Sequence, residues 1–395
     1  MDVECLNTRN GNPALIKLIR AEIQKRGPVS FAWFMEQALY HPEHGYYSSG
    51  QCAIGRHGDY FTNVSVGPLF GRLLTGQFAE MWERLGETEN FVIVEQGAHH
   101  GDFARDVLES AAKYPDFFAA LRYRIVEPFP ILQDRQLKTL VEFKDKIEWR
   151  ASINSLDPFI GVHFSNELLD SMPVRLIGDG KEKLVDLEGD GFVLVERPLS
   201  KGATDSKSAN RTDSSHGEPL TEKGAFNQPA LDWIDDIAAK LQRGYILAVD
   251  YGHLSNEFEA SVQVRAQHRY LDSPFERIGH ADITMRVDWM SIVQRAQANG
   301  LHVAGFTDQH HFLTGIISGP GRGGSPEPPA GDWGQSSPAE IGASPKMKRE
   351  LQTLLHPEML GRSFQVLALA RNVDPGAPRL AGFKFAREPC SALDL

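Results

Sequence analysis

The chain has little cysteine, no long apolar run and no excess of positive charge. Its three cysteines, Cys5, Cys52 and Cys390, stand far apart among 395 residues. No pair has the spacing of a zinc ligand set, and a sparse, odd number suits a reducing compartment better than a disulfide framework. No apolar run reaches the roughly 18 residues that a membrane-spanning helix needs. The first residues, Met1-Asp2-Val3-Glu4, carry acids where a targeting segment would carry bases and then an apolar stretch. The cytoplasm is therefore the expected compartment, or the mitochondrial matrix for a eukaryotic chain. Lysine and arginine number 41 against 52 acids, a net charge of -11. That excess argues against a broad nucleic-acid surface, which needs a basic stripe.

What is present is ordinary globular material, 41% hydrophobic and 24% charged. Residues 13–26 place Leu15, Ile16, Leu18, Ile19 and Ile23 at helical spacing before Gly27-Pro28 stops them. Ser30 is placed to cap a second helix ending at Tyr40, and residues 67–85 predict a third. From Phe91 the pattern changes to short apolar runs at 91–94, 123–126, 147–149, 161–165 and 244–250, with a last one at 363–370. Strands of this kind separated by helical stretches predict an α/β fold with a doubly wound, mostly parallel sheet. Residues 175–177, 183–187 and 192–196, joined by Gly-Asp-Gly turns, predict an antiparallel meander. Residues 200–228 and 318–345 are polar or low in complexity and predict loops.

The chemistry-bearing motif lies at the end of the first buried strand, Val94-Glu95-Gln96-Gly97-Ala98-His99-His100-Gly101. A strand, a glycine turn and a helix make a nucleotide site. Glycines at 97 and 101 alone do not match the three-glycine pyrophosphate fingerprint. The turn suits a ligand without phosphate, such as S-adenosylmethionine (SAM), and Glu95 is placed to face its cationic end. Glu127 ends the next strand, where an acid accepts from ribose hydroxyls. His99 and His100, adjacent in sequence, are expected to diverge and to be loop residues rather than metal ligands. Ser165-Asn166-Glu167-Leu168-Leu169-Asp170 follows a later strand. Asn166 is a candidate to orient cofactor or acceptor. Glu167 and Asp170, three apart, are expected on one face of a helix's first turn, where two carboxylates clasp a guanidinium. Asp282, Thr284 and Asp288 are candidates for a far wall, or for caps of a helix beginning near Asp288.

A set of runs resembles the MidA family of SAM-dependent methyltransferases. They are Phe31-Ala32-Trp33-Phe34-Met35, Ala38 to Pro42, Gly45-Tyr46-Tyr47, Ile54 to Thr62, Pro68 to Gly71, Val94 to Gly101, Ser165 to Val174, Asp250-Tyr251-Gly252, Asp282-Ile283-Thr284, Val287-Asp288-Trp289 and His356 to Phe364. The resemblance implies the class I, Rossmann-like methyltransferase fold with a helical N-terminal extension and a β-rich insertion. It implies a loop of Gly58, Asp59, Phe61 and Thr62 beside the cofactor, with Ile153 completing a cofactor set of Glu95, Gly97, Gly101, Glu127 and Asn166. It also implies transfer to an arginine of a protein partner, since the family's mitochondrial member methylates a subunit of respiratory NADH dehydrogenase (complex I). Glu167 and Asp170 are then the catalytic candidates. The family's glycine loop often carries Gly or Asn where His99 or His100 stands here.

These readings divide the chain into a helical extension (1–88), a SAM-binding core (89–174 and 230–371), a meander with a mobile loop (175–229), a low-complexity loop (318–345) and a C-terminal tail (372–395). The helices of residues 13–85 offer a surface for a homodimer. Three alternatives stay open: a methyltransferase for a small molecule or another side chain, an assembly factor whose methyltransferase fold is catalytically silent, and a nicotinamide-dependent oxidoreductase. The absence of a third glycine disfavours the last.

Overall fold

A computed structural model describes residues 11–50, 52, 55, 58–199, 224–254, 262–319, 344–388 and 393. It divides into two compact units: residues 1–52, 171–229 and 255–286, and residues 53–170, 230–254 and 287–395.

The larger unit is built on a seven-stranded sheet. Its strands are β1 (Phe91–Gln96), β2 (Leu121–Val126), β3 (Ile147–Arg150), β4 (Phe159–Asn166), β5 (Leu241–Asp250), β6 (His302–Asp308) and β7 (Gln365–Arg371). Their order is β3-β2-β1-β4-β5-β7-β6. The first five pair in parallel, and β7 runs antiparallel between β5 and β6. Alternation along β4 explains how both faces are covered. Phe164 stacks on Phe103 at 4.4 Å on one face, and His163 meets Trp233 edge-on at 5.4 Å on the other. Phe103 belongs to the helix Asp102–Ala111, and Trp233 to the helix Gln228–Lys240.

The helix Leu69–Arg84 was grouped with the N-terminal extension on sequence, but it packs within this unit. Leu69, Phe70, Leu73, Leu74, Phe78 and Met81 are buried in the same apolar cluster as β1 and β4. Each such side chain withdrawn from water is worth about 1.5–3 kcal/mol, which is what fixes the helix there. The segment after β7 also packs: Leu380 and Phe383 are buried, and Phe383 lies 5.2 Å from Phe312.

The smaller unit holds the helices Pro13–Arg26 and Phe31–Tyr40, the second capped by Ser30 Oγ, which accepts from Trp33 N at 3.1 Å. The meander forms as three antiparallel strands, Arg175–Gly178, Lys181–Glu188 and Gly191–Pro198. Residues 224–226, expected in a loop, pair with Arg175–Ile177 instead. Of the loops expected at 200–228 and 318–345, residues 200–223 and 320–343 lie outside the described residues.

Candidate functional site

The sheet order reverses between β1 and β4, so the chain leaves their carboxyl ends in opposite directions and opens a crevice there. The glycine turn forms one side of it. Gly97 and Gly101 have φ of 81° and 83°, a region where a Cβ costs roughly 1–2 kcal/mol. A Cβ on Gly101 would also lie 3.1 Å from Leu140 Cδ1. Gly101 then opens the helix Asp102–Ala111.

Glu95 does not sit exposed at the strand end. It is 4% exposed and accepts from Tyr123 Oη at 2.7 Å. Burial, with Asp102 and Asp106 nearby, pushes its carboxyl up to about 8 against the help of that hydrogen bond.

Glu127 is likewise buried beyond β2 and is held from several sides. Its Oε1 accepts from Phe129 N at 3.1 Å and its Oε2 from Gln136 Nε2 at 3.0 Å. Desolvation raises it to about 7. The same Gln136 Nε2 donates to the His99 carbonyl at 3.0 Å, and Gln136 Oε1 accepts from Trp149 Nε1 at 2.9 Å. One buried amide therefore joins the glycine turn, the end of β2 and the end of β3. Sequence reading missed Gln136, because nothing local distinguishes it from any other helical glutamine. The two histidines do not diverge. His99 takes φ of 47°, which brings its ring onto that of His100 at 3.8 Å, and His100 Nε2 lies 3.3 Å from Arg135 Nη1. Burial and Arg135 lower the His100 pKa. Among the described residues there is no group of three or more His, Cys, Asp or Glu able to hold a metal.

The segment after β4 is not a helix. Glu167 has φ of 52°, and its backbone N donates to Val249 O at 2.9 Å. The amides of Leu168, Leu169 and Asp170 all donate to one oxygen, Asp250 Oδ2, at 3.1, 2.8 and 3.3 Å. The other oxygen, Asp250 Oδ1, accepts from Tyr251 N at 2.8 Å. Three amides gathered on a carboxylate from β5 replace a helical first turn. Asp170 is 6% exposed, so it and Glu167 do not form the expected helical face. Glu167 is half-buried, and its Oε1 accepts from Asn166 Nδ2 at 2.9 Å. Asp250 is the second residue sequence reading missed. It is fully buried, and burial raises it to about 7 despite its four amide donors.

Gly58, Asp59 and Phe61 lie in the loop before the helical turn Asn63–Val66, and Phe61 is 46% exposed. Thr62 is 7% exposed and shares a capping box with Ser65. Ile153 is buried in a short turn after β3. Asp288 caps the helix Trp289–Ala298 by accepting from Met290 N and Ser291 N. Asp282, in the smaller unit, accepts from Tyr47 Oη at 2.6 Å.

Comparison with known proteins agrees with this geometry. A family model for S-adenosyl-L-methionine-dependent methyltransferases matches residues 73–307, more than half of the chain. A Drosophila melanogaster relative, the mitochondrial "Protein arginine methyltransferase NDUFAF7 homolog", is 27% identical over 77% of this chain and 75% of its own. The human "Protein arginine methyltransferase NDUFAF7, mitochondrial" is 23% identical over 76% and 72%. A Burkholderia thailandensis crystal structure, described as a likely methyl transferase bound to S-adenosyl-homocysteine, is 25% identical. It aligns with a TM-score of 0.78 over 96% of both chains. The residues present fit such a ligand: a glycine turn with no pyrophosphate cradle, buried acids beneath it, and a fully buried asparagine oxygen, Asn63 Oδ1, without a hydrogen-bond partner among the described residues. A sheet reversal, a glycine turn and a family match that spans both place this chain among the S-adenosyl-L-methionine-dependent methyltransferases.

Proposed function

We propose that the enzyme methylates an arginine of a protein substrate, with Glu167 as the carboxylate that faces the guanidinium. The observation that carries the reading is the restraint on Glu167. A non-glycine residue in the left-handed region is strained by about 1–3 kcal/mol, and such strain gathers at functional sites. Here it is held by Val249 O on the backbone and Asn166 on the carboxylate. The relatives named as protein arginine methyltransferases support the same acceptor.

The strand order, with its antiparallel β7, is read as the class I, Rossmann-like arrangement. The glycine turn, Glu127, Ile153, Asn166 and the Gly58, Asp59, Phe61 and Thr62 loop are assigned to the cofactor. When bound, that cofactor supplies a methyl group activated by the sulfonium. A guanidinium holds its proton far above neutral pH, so the protein's part is alignment and polarisation. Glu167 accepts from the guanidinium N–H and turns the opposite nitrogen toward the methyl group. It then stabilises the charge until the proton shed by the methylated nitrogen passes to solvent water. Asp170 is 6% exposed with its amide held by Asp250 Oδ2, so the acceptor contact is assigned to Glu167 alone.

The family resemblance points to a subunit of respiratory NADH dehydrogenase as the acceptor protein. The mitochondrial names of the relatives favour the matrix if the chain is eukaryotic, and they give the cytoplasmic expectation no support. The test is incubation of a lysate with labelled SAM followed by peptide mass spectrometry. Label on arginine is expected, lost in Glu167→Gln while SAM still binds. Label confined to another side chain or to small molecules overturns the substrate, and full activity of Glu167→Gln overturns the role of Glu167.

A further inference from the structure

Asn63 is a side chain that the transfer reading leaves unused. It is fully buried and opens the helical turn Asn63–Val66, where the Thr62–Ser65 capping box fixes its backbone. Asn63 Nδ2 donates to Asn166 Oδ1 at 2.9 Å, and Asn166 Nδ2 donates to Glu167 Oε1 at 2.9 Å. The far end of this relay sets its direction. An ionised carboxylate only accepts, so Asn166 must turn its NH2 toward Glu167 and its oxygen toward Asn63. Asn63 must then present its own NH2 to Asn166. That leaves Asn63 Oδ1 buried and without a hydrogen-bond partner among the described residues. A buried acceptor left unpaired costs about 1–3 kcal/mol, so a structure that keeps one beside its reacting groups gains by meeting a ligand's N–H there.

We propose that Asn63 is a positioning residue that orients the Glu167 carboxylate through Asn166, and that its Oδ1 accepts from a cationic N–H group of the bound ligands. The inference rests on the reading of Glu167 as the carboxylate that faces the guanidinium. Without the Asn63 donor the Asn166 amide loses its second anchor and is held only by the Glu167 carboxylate that it orients. The N–H group belongs either to the amino group of the cofactor or to the guanidinium of the acceptor. Both have the same chemistry, and the experiment separates them.

The test uses the full chain with Asn63→Leu, which keeps the branched shape and removes both polar atoms, together with Asn166→Leu and the double variant. The two replacements delete the same hydrogen bond, so their melting losses overlap. The double variant is expected to melt within about 1 °C of the weaker single variant. Fully additive losses overturn the relay. S-adenosyl-homocysteine titration then locates the donor. Affinity about tenfold weaker in Asn63→Leu assigns the N–H to the cofactor. Unchanged affinity, with transfer of labelled methyl to lysate protein falling about tenfold, assigns it to the acceptor. Unchanged affinity and unchanged transfer together overturn the proposal. If Asn63→Leu does not fold, Asn63→Ser takes its place, with the Asn166 side-chain NH2 signal in a 15N spectrum as the reporter. That signal moves if Asn63 is its partner and stays if it is not. Melting and titration need no methyl acceptor, so a wrong substrate assignment leaves these results standing.

Discussion

The Leu169 amide donates to Asp250 Oδ2 at 2.8 Å, across 81 residues of chain. It ties the loop after β4 to the end of β5, and Leu168 and Asp170 share the same oxygen. Asp250→Ala leaves these buried amides and that of Tyr251 without their acceptor. A loss of about 3 kcal/mol or more is expected, because each buried unpaired group costs about 1–3 kcal/mol. Methyl transfer should fall further than the stability loss accounts for, since Glu167 stands in the same loop. Chemical denaturation beside a transfer assay checks this, and an unaltered denaturation midpoint would rule it out.

Gln136 should behave as a cofactor residue without being a catalytic one. Gln136→Leu strips one partner each from Glu127, the His99 carbonyl and Trp149 Nε1 at once. SAM binding is expected to weaken about tenfold or more, a loss of about 1.4 kcal/mol or more. Calorimetric titration of the variant reads it directly, and an unchanged affinity would separate Gln136 from the cofactor.

The glycine turn gives a graded pair. Gly97→Ala and Gly101→Ala both place a Cβ at positive φ, at an expected cost of about 1–2 kcal/mol each. Gly101→Ala should lose more stability, because its Cβ meets Leu140 Cδ1 at 3.1 Å, whereas that of Gly97 meets Leu168 Cδ1 at 3.4 Å. Thermal melts of the two variants should rank them in that order, and the reverse ranking would contradict the geometry.

Stability should fall as pH rises. Burial raises Glu95 to about 8, and Glu127 and Asp250 to about 7. The folded chain therefore holds protons that the unfolded chain releases. This contribution is complete below the ordinary carboxylate range and drains away as pH climbs through 7 and then 8. Above about pH 6.5 the buried His163, with its pKa lowered to about 3, is neutral in both states, so melting temperature should decline between about pH 7 and 8, and Glu95→Gln should flatten the upper part of that decline. Gln retains an oxygen for Tyr123 Oη without the titration. A variant with the wild-type slope would show that Glu95 is not the group responsible.

Local patterns made much of this legible. Ser30 and Asp288 announced their helices because a cap acts within three residues. The apolar runs of β1, β2, β4 and β5 are continuous because helices cover both faces of the sheet. Gly97 and Gly101 stood out because only their backbone conformation explains them. What stayed hidden is long-range polar pairing. Glu167 and Asp170 resembled a helix start, yet a carboxylate 80 residues beyond Asp170 takes the amides that would have begun it. Gln136 and Asn63 act on partners 37 and 103 residues away, distances at which no periodicity survives. Glu95 was expected to face the ligand's cationic end, whereas it is buried and accepts from Tyr123 of the neighbouring strand, a partner that no local pattern announces.

Strand β7 is made after both of its sheet neighbours and belongs between them. It fills the space between β5 and β6 and pairs with both from residues 365–371. During synthesis β1 to β4 can assemble around the crevice while β5 still presents an open edge and β6 has no neighbour in the sheet. An open edge of this kind is a template for pairing with the wrong chain. The nascent protein thus spends the translation of residues 251–364, at roughly 5–20 residues per second, in an aggregation-prone form. A stop codon shortly before residue 365 would therefore do more than trim a terminus: it would leave that edge permanently unsealed.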